Sequence, residues 1–516
     1  MIEKDLLVIG SGLAGCITAL LSADAGIKVI LVTSSVTDNQ CNTAKAQGGI
    51  IYKGKDDSHE FLVGDIWRAG CEFGSLKAIE TLVASGSKAI EEVFLERLHI
   101  PFDKDNQGNL DLTSEGAHSI PRIIHCKDST GSIIHQYVMK AVSNHPNIEV
   151  FKNFTAIDLL TTSHSSLEVK DIYEDNRCFG AYIFSSQTKK VLTVIAKDTV
   201  LATGGLGGLF LHSSNGETIR GDGIAMARRA GARIVNMEFI QFHPTGLFHL
   251  SKKRFLLSES LRGEGAKLIN HKGEAFMSEY HAQKDLAPRD IVSRAIYDQM
   301  IKFEKQFVYL DISHKDSEWI RKRFPLITST CLDYGYDLTR EPVPVVPVAH
   351  YTCGGVLVDL QGSTNIKSLK AVGEVSCTGL HGANRLASSS LLECLVWGKL
   401  AAQDIISNKN KNCTFPKVAP WKYEYETQDK ALIYQDWQTL RNTMWNYVGP
   451  IRSYRRLERA STILANLRWG IENFYNQVEL SDEIIGLRNG IDVALTVLYD
   501  AMRNKKSKGC HFYEIK

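Results

Sequence analysis

The sequence has no CxxC pair, no excess of one charge, no apolar stretch long enough to cross a bilayer, and no internal repeat or low-complexity tract. Each absence removes a class of protein. The eleven cysteines stand singly at 16, 41, 71, 126, 178, 331, 353, 377, 394, 413 and 510. An odd, scattered set writes neither a disulfide framework nor a zinc or iron–sulfur cage, so small buried thiols and no metal are expected. Sixty basic residues against fifty-eight acidic ones leave a formal charge of +2, which excludes a nucleic-acid footprint and an adhesive basic membrane face. The expected partner is a small molecule. Apolar runs such as 6–9 and 191–196 fall far short of the ~20 residues of a membrane span. The chain opens on two charged residues and then an apolar strand pattern, without the basic segment, apolar core and cleavage site of an export signal. A cytoplasmic enzyme is the expectation.

At 516 residues the chain is too long for one ordinary domain, and it has apolar surface enough for several cores. Residues 5–10 (Asp-Leu-Leu-Val-Ile-Gly) read as a buried strand, 11–25 carry helical spacing, and 28–33 (Lys-Val-Ile-Leu-Val-Thr) supply a second strand, together a βαβ unit. At the first strand–helix junction stands Gly10-Ser11-Gly12-Leu13-Ala14-Gly15. A tight turn and a close backbone approach to a pyrophosphate at a helix N-terminus both call for glycine there.

Two more strand-then-glycine signals follow. One is 197–203 running into Gly204-Gly205-Leu206-Gly207-Gly208, and the other is 369–375 followed by Gly379-Leu380-His381-Gly382-Ala383-Asn384-Arg385. Glycine turns so far apart imply a dinucleotide domain that is interrupted and then resumed. The predicted fold is α/β with an all-α end: a Rossmann-like nucleotide-binding domain in two parts, 1–236 and 351–408, an inserted α+β capping domain at 237–350, and a C-terminal helical bundle at 415–516. The bundle follows a polar linker from Asn408 and contains amphipathic helices at 427–445 and 454–475.

A lone GxGxxG serves NAD, NADP and FAD alike. The ribose-binding acid of an NAD enzyme is missing, because the second strand ends in Thr33-Ser34-Ser35. Resemblance decides. The blocks Asn42-Thr43-Ala44-Lys45-Ala46-Gln47-Gly48-Gly49, Ala202-Thr203-Gly204-Gly205, Gly221-Asp222-Gly223 and Gly373-Glu374-Val375 resemble, in order and across nearly the whole chain, the flavoprotein family of succinate dehydrogenase, fumarate reductase and L-aspartate oxidase. The resemblance implies FAD on the first glycine turn, with Thr33, Asn42, Thr43, Ala44, Gln47, Gly48, Gly49, Ala202, Thr203, Gly204, Gly205, Asp222, Ser388, Ser390 and Leu391 around it and Glu374 at its ribityl or ribose hydroxyls. The membrane-bound members tether the flavin through a histidine where this chain has Asn42, and an amide forms no such bond. Noncovalent FAD is expected.

A dicarboxylate needs two cationic or hydrogen-bonding clamps that hold its middle carbon at the flavin. Gln241-Phe242-His243-Pro244-Thr245, Leu286-Ala287-Pro288-Arg289-Asp290, His350-Tyr351-Thr352-Cys353-Gly354-Gly355 and the run from Asn384-Arg385 to Ser390 offer them. Taken singly, each histidine reads as a structural residue and each arginine as a surface charge. Matched to the family, His243, His350 and Arg385 are implied to hold carboxylates, with Arg385 also near the cofactor. Arg289 is implied at the reacting carbon, handling the proton while the flavin takes the hydride. In Ser258-Glu259-Ser260-Leu261-Arg262 the spacing makes Glu259 and Arg262 neighbours on a helix or turn. The resemblance makes them a proton relay to Arg289 and puts Ser258 at the substrate; the alternative is an exposed ion pair.

An enzyme acting on an amino diacid needs an acceptor for one ammonium group. Glu115, in Leu112-Thr113-Ser114-Glu115-Gly116-Ala117-His118-Ser119 with Arg122, His125 and Asp128-Ser129-Thr130-Gly131 after it, sits in a block close to the L-aspartate oxidase pattern. The resemblance then implies L-aspartate oxidised to iminoaspartate, electrons passing to oxygen or fumarate, and delivery to quinolinate synthase as a candidate partner in NAD biosynthesis. Two rivals remain: a soluble fumarate reductase or succinate dehydrogenase flavoprotein, opposed by Asn42 and Glu115, and a noncatalytic nucleotide-binding module, opposed by the assembled His and Arg set.

Overall fold

The protein is described by a computed structural model covering residues 1–410, 413–421 and 426–515. Of the linker read at 408–416, positions 411 and 412 lie outside the described residues. The first βαβ unit forms as read: β1 (Ile2–Ile9), α1 (Leu13–Asp24) and β2 (Val29–Thr33). β1 and β2 pair in parallel with Leu6 opposite Val29 and Ile9 opposite Val32. Leu7, Val8, Ile30 and Leu31 have no exposed surface, as strands covered on both faces require. α1 starts at Leu13 rather than Ser11, because Gly10, at φ +117, turns the chain out of β1. A Cβ there would meet the Ala202 carbonyl oxygen at 2.1 Å, so only glycine fits.

These strands belong to a seven-stranded sheet in the order Ile148–Lys152, β2, β1, Lys190–Leu201, Cys178–Ser185, Phe154–Thr161, with Leu369–Ala371 paired in parallel to the end of Lys190–Leu201. The strand expected at 197–203 is thus the end of a longer one, stopped by Gly204 at φ +76. The one expected at 369–375 ends at Ala371, because Gly373, at φ +72, turns the backbone into a single helical turn. The three glycine turns therefore gather at one edge of one sheet, where nucleotides bind such folds.

The stretch between the second and third turns builds a different sheet. Its five strands run antiparallel in the order Phe255–Leu256, Ile240–Leu247, Val343–Thr352, Val308–Asp311, Lys267–Ile269. Every residue of Ile240–Leu247 is buried. Its pairing with Val343–Thr352 slips on either side of His243, next to Pro244, which cannot donate to the ladder. The kink turns the His243 and His350 rings toward each other, 5.3 Å apart.

Three helices close the chain: Lys430–Val448, Tyr454–Tyr475 and Asp482–Arg503. The first starts three residues later than the apolar spacing indicated, because Asp429 caps it by accepting from the Ala431 N–H at 2.9 Å. Arg220, buried, reaches Asp482 at 2.8 Å and ties the last helix to the nucleotide side. Among the described residues, no helix is long and apolar enough to cross a membrane.

Candidate active site

One continuous pocket, about 1710 Å³ when counted to its open mouth, runs from the first glycine turn to the kinked strand pair. Its nucleotide end is made mostly of backbone. Gly10, Ser11, Gly12, Leu13 and Ala14 line it where α1 begins without a side-chain cap, so the helix presents N–H groups and a positive dipole end to whatever enters. Thr33, at the end of β2, accepts from the Ser11 hydroxyl at 3.0 Å. Asn42 and Thr43 open the helix Asn42–Lys45, and Thr43 accepts from the Leu13 N–H at 3.1 Å. Ala202, Thr203 and Gly204 form the facing edge, with Ser388, Ser390 and Leu391 on the opposite side.

Not every expected contact is there. Gly15, Ala44, Gly205 and Arg262 do not line the pocket. Gly15 and Gly205 are packing positions: a Cβ on the first would lie 2.2 Å from the Gly10 carbonyl oxygen, and on the second 2.2 Å from Glu374. Asp222 lines the pocket, but its carboxylate is occupied by Arg220 at 3.2 Å and Asn489 at 2.8 Å.

The residues present fit a flavin nucleotide. Asn42 Oδ1, Gln47 Oε1 and Arg385 Nε, all on lining residues, are buried without a partner in the protein, and such groups need a ligand or water to satisfy them. Glu374 accepts from Asn42 Nδ2 at 3.1 Å and from the Thr352 N–H at 3.0 Å. Burial pushes its carboxyl above the usual range despite these donors.

The other end is made of side chains brought from distant segments. Arg289 begins the helix Arg289–Lys302 and donates from Nε to Glu259 Oε2 at 2.6 Å. Arg385 donates to Ser390 at 2.8 Å and lies 4.3 Å from the centre of the Tyr351 ring, a stack that fixes the plane of its guanidinium. Gln241 stands between the two arginines, its Oε1 3.4 Å from Arg289 and 3.3 Å from Arg385. His243, His350, Ser258 and Glu115 complete the wall with Gly48 and Gly49. His350 Nδ1 is 2.9 Å from the Ser214 hydroxyl. His243 Nδ1 accepts from the Thr245 N–H at 3.3 Å, which leaves Nε2 as the protonated nitrogen of the neutral ring.

Electrostatics separates the roles. Burial, reinforced by the surrounding arginines, holds both histidines well below their ordinary range, so they are neutral hydrogen-bonding groups rather than cations. Burial pushes Glu259 up, but Arg289 and Arg262 outweigh it and keep the carboxylate ionised. Burial alone would lower Arg289, yet Glu259 and Glu115 raise it, so its proton is held firmly. Arg262 is 1% exposed and 3.9 Å from Glu259, and it donates to the Asp285 carbonyl. The pair is therefore internal rather than an exposed surface bridge.

Sequence reasoning did not find Tyr351, Ser214 or the bridging part of Gln241. Tyr351 directly follows His350 and Gln241 lies two residues before His243, so each shares a block with a histidine whose chemistry is the stronger signal. Ser214 carried no signal, since its role comes only from the loop at 212–215 crossing the strand that bears His350.

A family model described as an FAD binding domain matches residues 5–391. L-aspartate oxidase 1 of Ralstonia nicotianae is 44% identical over 513 residues, 98% of this chain and 94% of that protein. L-aspartate oxidase of Acinetobacter baylyi is 41% identical over 512 residues, 98% and 92% of the two chains. Among solved structures, a mutant of E. coli quinol fumarate reductase FrdA superposes with a TM-score of 0.88 at 26% identity, covering 100% of this chain and 92% of that one. Mycobacterium smegmatis Sdh1 in complex with UQ1 gives 0.82 at 30% identity, covering 99% and 89%. With its glycine turns on one sheet edge and its arginines and histidines at the far end of the same pocket, the chain belongs to the L-aspartate oxidase family of FAD-binding flavoproteins.

Proposed function

We propose that this protein oxidises L-aspartate to iminoaspartate with noncovalent FAD, passing electrons on to oxygen or fumarate, as the first step of the quinolinate route to NAD. The observation that carries the reading is the position of Glu115 on the same wall as Arg289, Arg385, His243 and His350. Charge matching supports it. Glu259 balances Arg289, Arg385 remains as a cation for one carboxylate, His243, His350 and Ser258 offer hydrogen-bonding groups to the other, and Glu115 is left for the ammonium group. FAD, when bound, supplies the two-electron acceptor for oxidation at the substrate's C–N bond.

The chain's own groups do the rest. His243 donates from Nε2 and His350 and Ser258 line the site beside it, so the carboxylates meet directional donors as well as charge. Arg385, set over the Tyr351 ring, offers a carboxylate a bidentate partner. Arg289 holds its proton toward the middle of the substrate, with Glu259 at 2.6 Å as the group it exchanges protons with and Arg262 behind. Closure over the site excludes water and strengthens each of these contacts. In this reading 1–236 and 351–408 form the FAD-binding domain, 237–350 a cap over the dicarboxylate, and 415–516 a helical domain. Quinolinate synthase is the proposed consumer of the product. A second reading, a soluble fumarate reductase, draws on the 0.88 superposition with FrdA and shares the clamp, but it gives Glu115 nothing to bind.

The deciding experiment mixes the purified protein anaerobically with L-aspartate and, separately, with succinate while the flavin absorbance is followed. Bleaching by aspartate and not by succinate is expected, and the reverse would overturn the proposal. Acid precipitation should leave the flavin in the supernatant, because Asn42 offers no nucleophile for a tether.

A further inference from the structure

Glu115 stands on a loop with no helix or strand of its own, between Thr113, which bridges to Ile123, and Arg122. A carboxylate that discriminates one ammonium group must be held to hydrogen-bond tolerance, so something must fix this loop. On the pocket side Ser388 donates to Glu115 Oε2 at 2.7 Å. Gly116 lies directly on Glu259, whose Oε1 would be 2.3 Å from a Cβ at that position. His118 donates from Nε2 to the Ala387 carbonyl at 3.1 Å, and so grips the segment that carries Arg385 and Ser388.

The outer side is fastened by buried charge. Asp65, on the helix His59–Ala69 and 1% exposed, accepts through one oxygen from the Ser119 N–H at 2.9 Å, the Ser119 hydroxyl at 2.8 Å and Arg122 Nη1 at 2.7 Å. Arg122, with no exposed surface, also reaches Asp57 at 3.1 Å and Ser119 at 3.2 Å. Burial pushes Asp65 up, but the Ser119 donors and Arg122 outweigh it and keep the carboxylate ionised. Buried ion pairs add little net stability over apolar residues of the same volume. What this one supplies, and apolar packing does not, is a directional hold on a backbone N–H four residues from Glu115. Between the two stands Ala117, held at φ +68, a conformation that non-glycine residues adopt only when their surroundings impose it.

We propose that Asp65 and Arg122 are positioning residues for ammonium recognition: without touching the substrate, they set the place of Glu115 relative to Arg385 and so help an amino diacid to be preferred over an unsubstituted one. The proposal rests on the reading of Glu115 given above.

The test uses the FAD-loaded full-length protein with Asp65→Asn, Ser119→Ala, Glu115→Gln and the double variant Asp65→Asn/Glu115→Gln, assayed for aspartate oxidation and for fumarate reduction. Asp65→Asn should raise KM for aspartate about tenfold and Ser119→Ala about threefold, with kcat less affected and KM for fumarate moved less than about twofold. In the double variant the aspartate loss should not exceed that of Glu115→Gln alone. Equal rises in both KM values, or losses that multiply in the double variant, would overturn the anchoring proposal while leaving a selective Glu115→Gln effect intact. A nonselective Glu115→Gln loss would overturn both it and the reading beneath it. If Asp65→Asn fails to bind flavin or to melt cooperatively, the KM ratio of Ser119→Ala decides by the same criteria.

Discussion

The two ends of the pocket are built by opposite means. At the nucleotide end a few consecutive residues, Gly10 to Ala14, make the site with their backbone, and the geometry follows from one φ angle and one helix start. At the substrate end, Glu115, His243, Glu259, Arg289, His350 and Arg385 come from six separate segments and act through their side chains. The first kind of site is local, and at Gly10 it leaves no room for a Cβ. The second is global, assembled by contacts between distant segments. The difference predicts that damage at one end should be read out as folding and cofactor retention, and damage at the other as kinetics.

The largest effect should come from Arg289→Leu, which removes the proton-holding group and half of Glu259's partnership. Turnover should fall by roughly 10³–10⁴-fold while FAD absorbance is retained, and near-normal turnover would erase the distinction between the two ends. Gly10→Ala should do the converse. With φ +117 and 2.1 Å to the Ala202 oxygen, the added methyl should destabilise the fold by about 3 kcal/mol or more and yield protein that retains little flavin, as thermal melting and absorbance would show.

Glu115→Gln should sharpen the comparison within the substrate end. A roughly 100-fold loss in kcat/KM is expected for aspartate and a distinctly smaller one for fumarate reduction; equal losses would make Glu115 a structural residue. The smallest effect concerns pH. His243 and His350 are held well below their ordinary range, so neither should contribute an inflection to kcat/KM between pH 6 and 8. The sign for stability follows by linkage. The unfolded chain takes up protons at these histidines below about 6.5 while the fold does not, so stability is unaffected above that value and falls as the pH drops beneath it. The loss should be about 1 kcal/mol per histidine by pH 5.5, measurable as a falling melting temperature.

The same contrast explains what was legible in the sequence. β1, α1 and β2 could be read within three residues, because apolar runs, helical spacing and glycine placement are local signals. The helix Tyr454–Tyr475 was read to the residue, but the start of Lys430–Val448 was not, since a cap at Asp429 outweighs apolar spacing there. The His and Arg blocks were visible as residue types, and resemblance gave them a common purpose. What no local pattern carries is their mutual distance. The approach of the two imidazoles depends on a register slip beside Pro244, the plane of Arg385 on a ring one strand away, and the hold on Glu115 on a helix some fifty residues earlier. Each is a long-range contact that exists only once the sheet edges have met.

The kinked strand pair has one more consequence. His243, Ser258, Glu259, Arg289 and His350 all lie within residues 243–350, whereas Glu115, Arg385 and Ser388 come from outside that stretch, and Gln241 Oε1 is within 3.4 Å of both arginines. In the proposed reading a molecule with a single acid group leaves part of the clamp unused, so binding a diacid engages both parts of the chain at once. Substrate binding on that reading joins two parts of the chain that the Gln241 side chain already bridges.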